Sequence, residues 1–339
     1  MNRFRPHSLL LIVCLLCSCS PGEKKTTHAQ QQTDSLALQD TLPEPVIEEI
    51  KPQDILISKE LIYDKYTLED TYPYKDTTRR FQWEKIKERL ALLENIQSRP
   101  ERWGILQNYK NRNGEAPLVK KYKRDAYRRI ADTLGVERYQ SVPLYLAADT
   151  LVPERYGQDG ELIRLHQEQG SFIEAEPIFI GGKWMIPAKY IATIPDTVVF
   201  RKALFVDRTN QNITTLEQNG KAQWVVRSMN PATSGRYHPP YAQVTPLGIF
   251  VLQEKKAKMV FLKDGSIETG GYAPYASRFT DGAYIHGVPV NAPRTALIEY
   301  SPSLGTTPRS HMCVRNATSH AKFVFDWAPV NATIVFVLE

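Results

Sequence analysis

The stretch SHMCVRN, residues 310–316, places His311, Cys313 and Arg315 within five positions near the end of a 339-residue chain. The chain has only four cysteines, so the chemistry of Cys313 decides how this part of the fold is interpreted. A cysteine attacks as its thiolate and needs a base or a positive neighbourhood to ionise near neutral pH. His286, in the apolar pattern AYIHGVPV, is a candidate base, and Arg315 supplies a positive charge.

Two other interpretations of Cys313 stay open at the level of the residues alone. A buried cysteine is an ordinary small apolar residue, and a lone histidine in an apolar strand is often a satisfied core residue. His286, His311 and Cys313 could also supply three ligands to a metal ion. Arg315 would place a fixed positive charge beside that cation, which argues against a metal. No cofactor is predicted from the sequence.

The other three cysteines lie within the first 19 residues, MNRFRPHSLLLIVCLLCSC. A short apolar run behind Arg3 and Arg5 is typical of an export signal and is too short to span a bilayer as a stable helix. The sequence LCSC, which ends at Cys19, is similar to a bacterial lipobox, in which cleavage precedes a cysteine that becomes lipidated. We therefore expect a signal peptide at residues 1–18 and a periplasmic protein anchored to a membrane by a lipid on Cys19. Cys313 would then be the only free thiol of the mature chain.

The composition is that of an ordinary globular protein, with 42% hydrophobic and 24% charged residues and a formal net charge of +6. Residues 19–53 are polar, rich in Gln, Thr and Pro, and lack an apolar period, which predicts a flexible tether.

Residues 54–136 are predicted to be partly helical. Ile86, Leu90 and Leu93 share one helix face, with a start near Thr77 or Thr78. A second helix is predicted over KYKRDAYRRIADTLG, residues 121–135, which ends at a glycine. Eight Lys and Arg residues lie between positions 110 and 129. Because the export signal argues against a nucleic-acid partner, we expect a solvated basic face there, with contact to an acidic envelope polymer as the alternative.

Residues 137–196 change to a strand pattern. VPLYL alternates in hydrophobicity, and FIEAEPIFIGGKWMIPAKYI predicts a strand, a Gly181-Gly182 turn and a second strand. Short strands with glycine-rich turns favour a small barrel. The ending GKWMIPAKYI is similar to the close of bacterial SH3-like domains, so we expect an SH3-like domain over residues 137–196.

Residues 197–339 are dense in strand patterns, with a short helix predicted around Ser319–Asp326 and a final strand TIVFVL. Several motifs occur in order: FVDRTNQNITTLEQNGK, VTPLGIFVL, His286 and SHMCVRN. Together they resemble the YkuD-type L,D-transpeptidase catalytic domain, which shows a histidine, a spacer and then Ser/Thr-His-Gly-Cys-hydrophobe-Arg/Asn. The resemblance implies a mainly β sandwich with a short helix, preceded here by the SH3-like domain and the partly helical region.

The same resemblance implies a two-step acyl transfer on peptidoglycan stem peptides. Cys313 would attack the carbonyl of the third stem residue, release the terminal D-Ala and form a thioester. An amine of a neighbouring stem would resolve the thioester as a 3-3 cross-link, or water would trim the stem to a tripeptide.

The family pattern also implies a role for each matching residue. His286 would be the base, oriented by the carbonyl of Gly287, and His311 would support the acyl group. The backbone amides of Met312 and Cys313 would form an oxyanion hole, and Arg315 would meet a stem carboxylate. Ser310 and Asn316 complete the expected substrate-binding set. Tyr284, on the same strand face as His286, is a candidate pocket residue, with core packing as the equal alternative.

Two departures from the family pattern bear on this function. Met312 replaces the family glycine, which gives up the backbone freedom of glycine and adds a flexible apolar side chain. The spacer from Gly287 to Arg309 is longer than is usual in the family, and we expect it to overlie the cleft as a lid. The alternative function is therefore a peptidoglycan-binding lipoprotein with a degenerate, inactive catalytic domain.

Overall fold

The structure, a computed structural model, describes residues 48–339. The predicted signal peptide at 1–18, the lipidation residue Cys19 and residues 19–47 of the predicted tether lie outside the described residues. Within residues 48–339, no helix combines the length and the apolar character that crossing a membrane requires.

The described chain begins with a strand and a hairpin that lead into a helix. These elements are β1 (Leu56–Lys59), β2 (Thr71–Tyr74), β3 (Thr77–Arg80) and α1 (Trp83–Gln97). α1 buries Ile86, Leu90 and Leu93, which confirms the predicted apolar face. It does not begin near Thr77 or Thr78, because those residues pair with β2 in the hairpin.

Nine strands follow in the middle of the chain. They are β4 (Arg102–Leu106), β5 (Lys123–Arg124), β6 (Ile130–Ala131), β7 (Val142–Leu144), β8 (Arg155–Gly157), β9 (Leu162–Gln169), β10 (Phe172–Pro177), β11 (Trp184–Pro187) and β12 (Ile191–Ile194). Five of them form an antiparallel sheet in the order β11-β10-β9-β4-β12. β4 comes from outside residues 137–196, so this sheet extends beyond the limits predicted for the SH3-like domain, and the SH3-like assignment stays a prediction.

The second predicted helix, over residues 121–135, is wrong. The segment forms the β5–β6 hairpin and two tight turns built on aspartates. Asp125 Oδ1 accepts hydrogen bonds from the backbone N–H groups of Tyr127 and Arg129, and Asp132 Oδ1 does the same for Leu134 and Val136. Such local bonds from side chain to backbone compete with a helix, and here they replace it with turns.

The C-terminal part holds ten more strands and a second helix. The elements are β13 (Lys202–Asp207), β14 (Asn212–Gly220), β15 (Gln223–Pro231), β16 (Gly248–Val251), β17 (Glu254–Leu262), β18 (Thr269–Thr280), β19 (Ala283–His286), β20 (Val290–Asn291), β21 (Val314–Arg315), α2 (Thr318–Trp327) and β22 (Thr333–Leu338). α2 and β22 confirm the short helix and the final strand predicted from the sequence.

These strands form two sheets that pack as a sandwich. One sheet has the order β1-β15-β14-β13-β22-β16, and the other has the order β17-β18-β19-β21, with β20 paired to β18. Phe250, Phe279, Ile285 and Val314 are fully buried in the core cluster that the sheets share. Burying each such side chain contributes about 1.5–3 kcal/mol. The sandwich therefore anchors β19 and β21, the two strands that carry the candidate site.

A second apolar cluster lies where α1 packs on the six-stranded sheet. Leu90 and Leu93 of α1 join Trp224 and Phe336 of the sheet in this cluster. β1 pairs in parallel with β15 and so covers that edge of the sheet. The N-terminal residues 48–97 are thus part of the packing of the C-terminal sandwich.

Candidate active site

β19 and β21 bring the candidate base and the candidate nucleophile together. The two strands pair in parallel, with Ile285 opposite Val314 and His286 opposite Arg315. Ile285 and Val314 are both fully buried in the sandwich core. Because successive side chains of a strand point to opposite faces, His286, Cys313 and Arg315 face away from that core. All three line one cleft.

The cleft has a volume of about 1020 Å³. The β17–β18 hairpin contributes one wall, with Met259 and Phe261 among its side chains. The long spacer after His286 contributes another, with Ile298, Tyr300 and Leu304. The spacer therefore lines the cleft, and its action as a lid stays a prediction. A groove of this size, mostly apolar and with a few polar groups at its floor, suits an extended peptide.

His286 is held as a neutral imidazole with a defined tautomer. Its Nδ1 lies 2.6 Å from Gly287 O. A carbonyl oxygen only accepts hydrogen bonds, so Nδ1 carries the proton and donates it, which leaves the lone pair on Nε2. Desolvation by burial, reinforced by the charge of Arg315, lowers the pKa of His286 to about 4, although the bond to Gly287 opposes the shift.

Gly287 fits its position because there is no room for a side chain. A Cβ atom there would lie 2.8 Å from Thr318 Oγ1 and 2.9 Å from Pro274 Cγ. Gly287 N also donates to Pro274 O at 2.9 Å. The carbonyl that orients His286 is therefore fixed by close packing on both sides.

Cys313 is half-buried, and its Sγ donates to Gly282 O at 3.6 Å. It makes no hydrogen bond to His286 in this structure. Desolvation by burial raises the pKa of the Cys313 thiol, while the Tyr284 backbone N–H and the charge of Arg315 act against the rise. The structure thus places a thiol with a raised pKa and a neutral imidazole in one cleft, with the Cys313 Sγ directed to Gly282 O.

Met312 keeps a backbone conformation that favours glycine, with φ at 124°. A residue from the VTPLGIFVL motif, Thr245, contacts it directly. The fully buried Thr245 hydroxyl donates to Met312 O at 2.7 Å and accepts from Gly235 N at 2.8 Å. Gly235 must lack a side chain, because a Cβ there would lie 2.7 Å from the Met312 Cα. This contact of Thr245 was not predicted from the sequence, although the residue belongs to the VTPLGIFVL motif.

The peptide groups on both sides of Cys313 are fixed. Ser310, which is 1% exposed, donates its hydroxyl hydrogen bond to Cys313 O. Arg315 N and Arg315 O each pair with the backbone of Thr233 at 2.9 Å. In a trans peptide the N–H points opposite to the C=O, so the Cys313 N–H points away from Thr245. The turn around the thiol is therefore rigid.

The remaining predicted site residues divide between the cleft and the core. His311 lines the cleft, and its Nε2 lies 3.0 Å from Asp264 Oδ2 at the tip of the β17–β18 hairpin. Asn316 follows Arg315 in the chain and therefore points to the opposite face, where it is fully buried. Its Oδ1 lies 3.0 Å from His320 Nδ1 of α2. Tyr284 is 2% exposed and does not line the cleft.

Tyr284 instead belongs to a polar network with the middle part of the chain. Its hydroxyl lies 2.9 Å from Glu254 Oε2, 3.0 Å from Lys256 Nζ and 3.3 Å from the Tyr109 hydroxyl. The strand-face argument made Tyr284 a candidate pocket residue, with core packing as the alternative. Its burial and its contact with Tyr109, which comes from outside the sandwich, fit core packing. Among residues 48–339, no cluster of three or more His, Cys, Asp or Glu side chains is arranged to hold a metal ion.

The fold and the cleft define a β-sandwich domain that presents a cysteine and a histidine from adjacent strands. Residues 201–337 match the family model described as the YkuD L,D-transpeptidase catalytic domain. Residues 201–337 therefore form an L,D-transpeptidase catalytic domain, which confirms the resemblance based on the sequence motifs.

Similar solved structures include L,D-transpeptidases. An L,D-transpeptidase from Mycobacterium tuberculosis is 18% identical, with coverage of 56% of this chain and 70% of that chain and a TM-score of 0.33. An Enterococcus faecium L,D-transpeptidase mutant is 22% identical, with coverages of 41% and 50% and a TM-score of 0.29.

A fused Zn-dependent amidase/peptidase/peptidoglycan-binding protein from Clostridium acetobutylicum is 18% identical, with coverages of 42% and 53% and a TM-score of 0.30. This chain thus spans about half the length of the Clostridium and Enterococcus chains. At these TM-scores the family assignment rests on the sequence match alone. No curated protein sequence matches the chain.

Proposed function

We propose that the protein is an active peptidoglycan L,D-transpeptidase in which Cys313 forms an acyl-enzyme with a tetrapeptide stem. The observation that carries the proposal is the state of His286. Its Nδ1 proton is committed to Gly287 O, so Nε2 is a free base on the strand next to the nucleophile. A core histidine without a chemical role has no need for an open lone pair that faces a cleft.

The first step follows from this pairing of groups. His286 Nε2 takes the Cys313 proton as Sγ attacks the carbonyl of the third stem residue, and a C–S bond forms. The tetrahedral intermediate collapses when the bond to the terminal D-residue breaks and the imidazolium gives its proton to the leaving amine. The product is a thioester on Cys313 and a free D-amino acid.

The second step reverses the roles. An amine of a neighbouring stem, or water, loses a proton to His286 Nε2 and attacks the thioester carbonyl. Cys313 leaves and regains its proton. The amine gives a 3-3 cross-link and water gives a tripeptide, so the protein would act as a transpeptidase or as an L,D-carboxypeptidase according to which acceptor enters the cleft.

The fixed turn around Cys313 suits it to stabilise the oxyanion. Thr245 holds the Met312 carbonyl on one side, so the Cys313 N–H of the same peptide group points the opposite way, where it would donate to the developing negative charge. Because Met312 retains φ of 124°, the change from the family glycine leaves the backbone shape in place. This observation favours an active enzyme over the degenerate, peptidoglycan-binding alternative.

The test uses defined tetrapeptide stems and mass spectrometry of the products. The full chain should yield tripeptide or 3-3 dimer, and neither Cys313→Ala nor His286→Gln should do so. Ser303→Ala, a hydroxyl-to-methyl change in the spacer wall, is the matched control and should keep activity. If wild type and Cys313→Ala both bind sacculi and neither yields product, the degenerate alternative is correct.

The location of the enzyme is part of the same proposal. A lipid on Cys19 would tether the catalytic domain in the periplasm, where peptidoglycan stems are accessible. Cys19→Ala should move the protein from the membrane fraction to the soluble fraction, with Cys17→Ala as the control that leaves it in place. Membrane retention of the Cys19 variant would remove the support for the lipid anchor.

A further inference from the structure

The segment that connects β1 to α1 contacts the spacer wall of the cleft. We call residues 56–80 the N-terminal arm and residues 298–305 the spacer wall, because most residues of 298–305 line the cleft. The arm is fixed along the edge of the six-stranded sheet, where β1 pairs with β15 and Leu68 N donates to Met229 O at 2.9 Å. The arm is therefore a firm support for any part of the spacer that it contacts.

Tyr66 of the N-terminal arm packs on the spacer wall. Its ring centroid lies 4.5 Å from that of Tyr300, with an angle of 32° between the ring planes. Tyr300 lines the cleft and Tyr66 does not. An aromatic pair contributes about 0.5–1.5 kcal/mol beyond the area that it buries. Tyr66 therefore holds a cleft-lining side chain from outside the cleft.

Tyr66 makes this contact from a strained backbone conformation. Its φ is 54°, in the left-handed region that side-chain-bearing residues seldom adopt, at a cost of about 1–3 kcal/mol. Asn230 of β15 is 1% exposed, and its Nδ2 donates to Lys65 O at 2.7 Å and to Tyr66 O at 3.2 Å. Strain of this kind persists where the surrounding structure fixes it, and it is common at ligand clamps. The strain at Tyr66 thus indicates that the placement of its ring has a function.

Arg79 holds the other end of the spacer wall. Its Nη1 donates to Gly305 O, and its guanidinium lies over the Tyr74 ring, 3.5 Å from the centroid. Gly305 is also packed against the sandwich, because a Cβ there would lie 2.7 Å from Pro231 Cβ. This end of the wall is therefore clamped between the arm and β15.

A third contact supports the beginning of the spacer wall through α2. The Tyr63 hydroxyl of the arm lies 2.7 Å from Ser319 Oγ, which in turn donates to the Glu299 carboxylate. Thr318 N donates to Glu299 O at 2.8 Å. The arm thus reaches both ends of the wall, directly or through one residue of α2.

We propose that Tyr66 and Arg79 are positioning residues that hold the spacer wall opposite the β17–β18 hairpin and so set the width of the cleft. Neither residue lines the cleft, so each acts through a wall residue and not on the substrate. This part of the spacer is then a fixed wall and not a lid that opens. The inference rests on the proposed function for what fills the cleft, an extended stem peptide.

Hydrogen exchange of the full chain measures how firmly the wall is held. Tyr66→Asn removes the ring but keeps a residue type that tolerates positive φ, and Arg79→Gln removes the bond to Gly305. Each variant should raise the exchange rates of peptides that cover residues 298–306 about twofold to tenfold, the equivalent of the contact energy. Peptides from α1 should be unchanged.

Steady-state kinetics on a defined tetrapeptide distinguish positioning from a purely structural role. Tyr66→Asn and Arg79→Gln should raise KM about twofold to tenfold and leave kcat within about twofold, because His286 and the thiol turn are not altered. Two matched controls should keep the wild-type KM and exchange rates. Tyr66→Phe retains the ring, and Arg80→Gln removes a neighbouring exposed charge that forms no ion pair with a described carboxylate.

The combined results separate this inference from the proposed function. Unchanged exchange over 298–306 in both variants, or raised exchange with an unchanged KM, would overturn the inference. A lower unfolding temperature with faster exchange throughout the sandwich would show a structural role and would also contradict it. If the wild type has no turnover, calorimetry of tetrapeptide binding to Cys313→Ala protein replaces KM. Weaker binding by the arm variants would then support the inference while the proposed function fails.

Discussion

Thr245 and Met312 offer a double-mutant cycle that tests how the turn around Cys313 is held. Thr245→Val removes the hydroxyl with little change of shape and leaves Gly235 N–H and Met312 C=O unpaired. Met312→Gly removes the strain of a side-chain-bearing residue at φ of 124°. Thr245→Ser keeps the hydroxyl and is the conservative control.

The magnitudes follow from the contacts. Each buried group left without its hydrogen bond costs about 1–3 kcal/mol, so Thr245→Val should lower the free energy of unfolding by several kcal/mol. The backbone strain at Met312 is about 1–3 kcal/mol. Without the Thr245 bond this strain drives Met312 out of its conformation and displaces the Cys313 N–H. Since losing one oxyanion donor reduces kcat about 10²–10³-fold, a displaced donor should cost on the order of tenfold to 100-fold.

Glycine at position 312 changes that outcome. Gly adopts φ of 124° without strain, so nothing drives the turn to relax when Thr245 is replaced. The kcat penalty of Thr245→Val should therefore be about tenfold smaller in the Met312→Gly background, a coupling of about 1.4 kcal/mol. Steady-state kinetics on a defined tetrapeptide, with thermal unfolding of all four proteins, provide the measurement.

Two results would refute this reasoning. The same kcat penalty for Thr245→Val in both backgrounds would mean that the strain at Met312 does not act on the oxyanion amide. A lower unfolding temperature with unchanged kcat would mean that Thr245 supports only the fold. Thr245→Ser should be close to wild type in both readouts.

Three further predictions concern the same cleft. Burial lowers the pKa of His286 to about 4 and that of His320 to about 3, so the unfolded imidazoles take up protons below pH 6.5 while the native ones do not. The free energy of unfolding is thus highest above pH 6.5 and falls as the pH is lowered, by about 3 kcal/mol for His286 at pH 4. Urea unfolding of His286→Gln should therefore depend less on pH than that of the wild type. An equally steep pH profile for the variant would mean that His286 is charged in the native state. Gly287→Ala should lower the free energy of unfolding by about 1–3 kcal/mol and reduce kcat, because its Cβ would lie 2.8 Å from Thr318 Oγ1. A variant with unchanged stability and kcat would argue against tight packing behind His286. A carbapenem should add one mass equivalent at Cys313, and no adduct on folded protein would count against an activated thiol.

The sequence predicted most of the catalytic half because its signals are local. The strand periods, the α2 position and the placement of His286 and Cys313 in one cleft all follow from short motifs whose order the fold preserves. The apolar face of α1 was also visible, since Ile86, Leu90 and Leu93 repeat at helical spacing.

The misses come from contacts between segments that are distant in sequence. Tyr284 faces Tyr109, which lies 175 positions earlier in the chain, and strand alternation alone does not reveal that cover. The clamp of Thr245 on Met312 joins two motifs that were each recognised without their contact. The helix predicted at 121–135 ended at a glycine as helices do, but the side chains of two aspartates within it bind the backbone locally.

The central claim is that Cys313 forms an acyl-enzyme. Intact-protein mass spectrometry of the full chain, quenched in acid shortly after mixing with a tetrapeptide stem, should show one adduct equal to the stem without its terminal residue. Peptide mapping should place the adduct on Cys313, and the Cys313→Ala variant should show none. A wild-type protein that binds the stem and releases product without that adduct, or that carries it on another residue, would contradict the account.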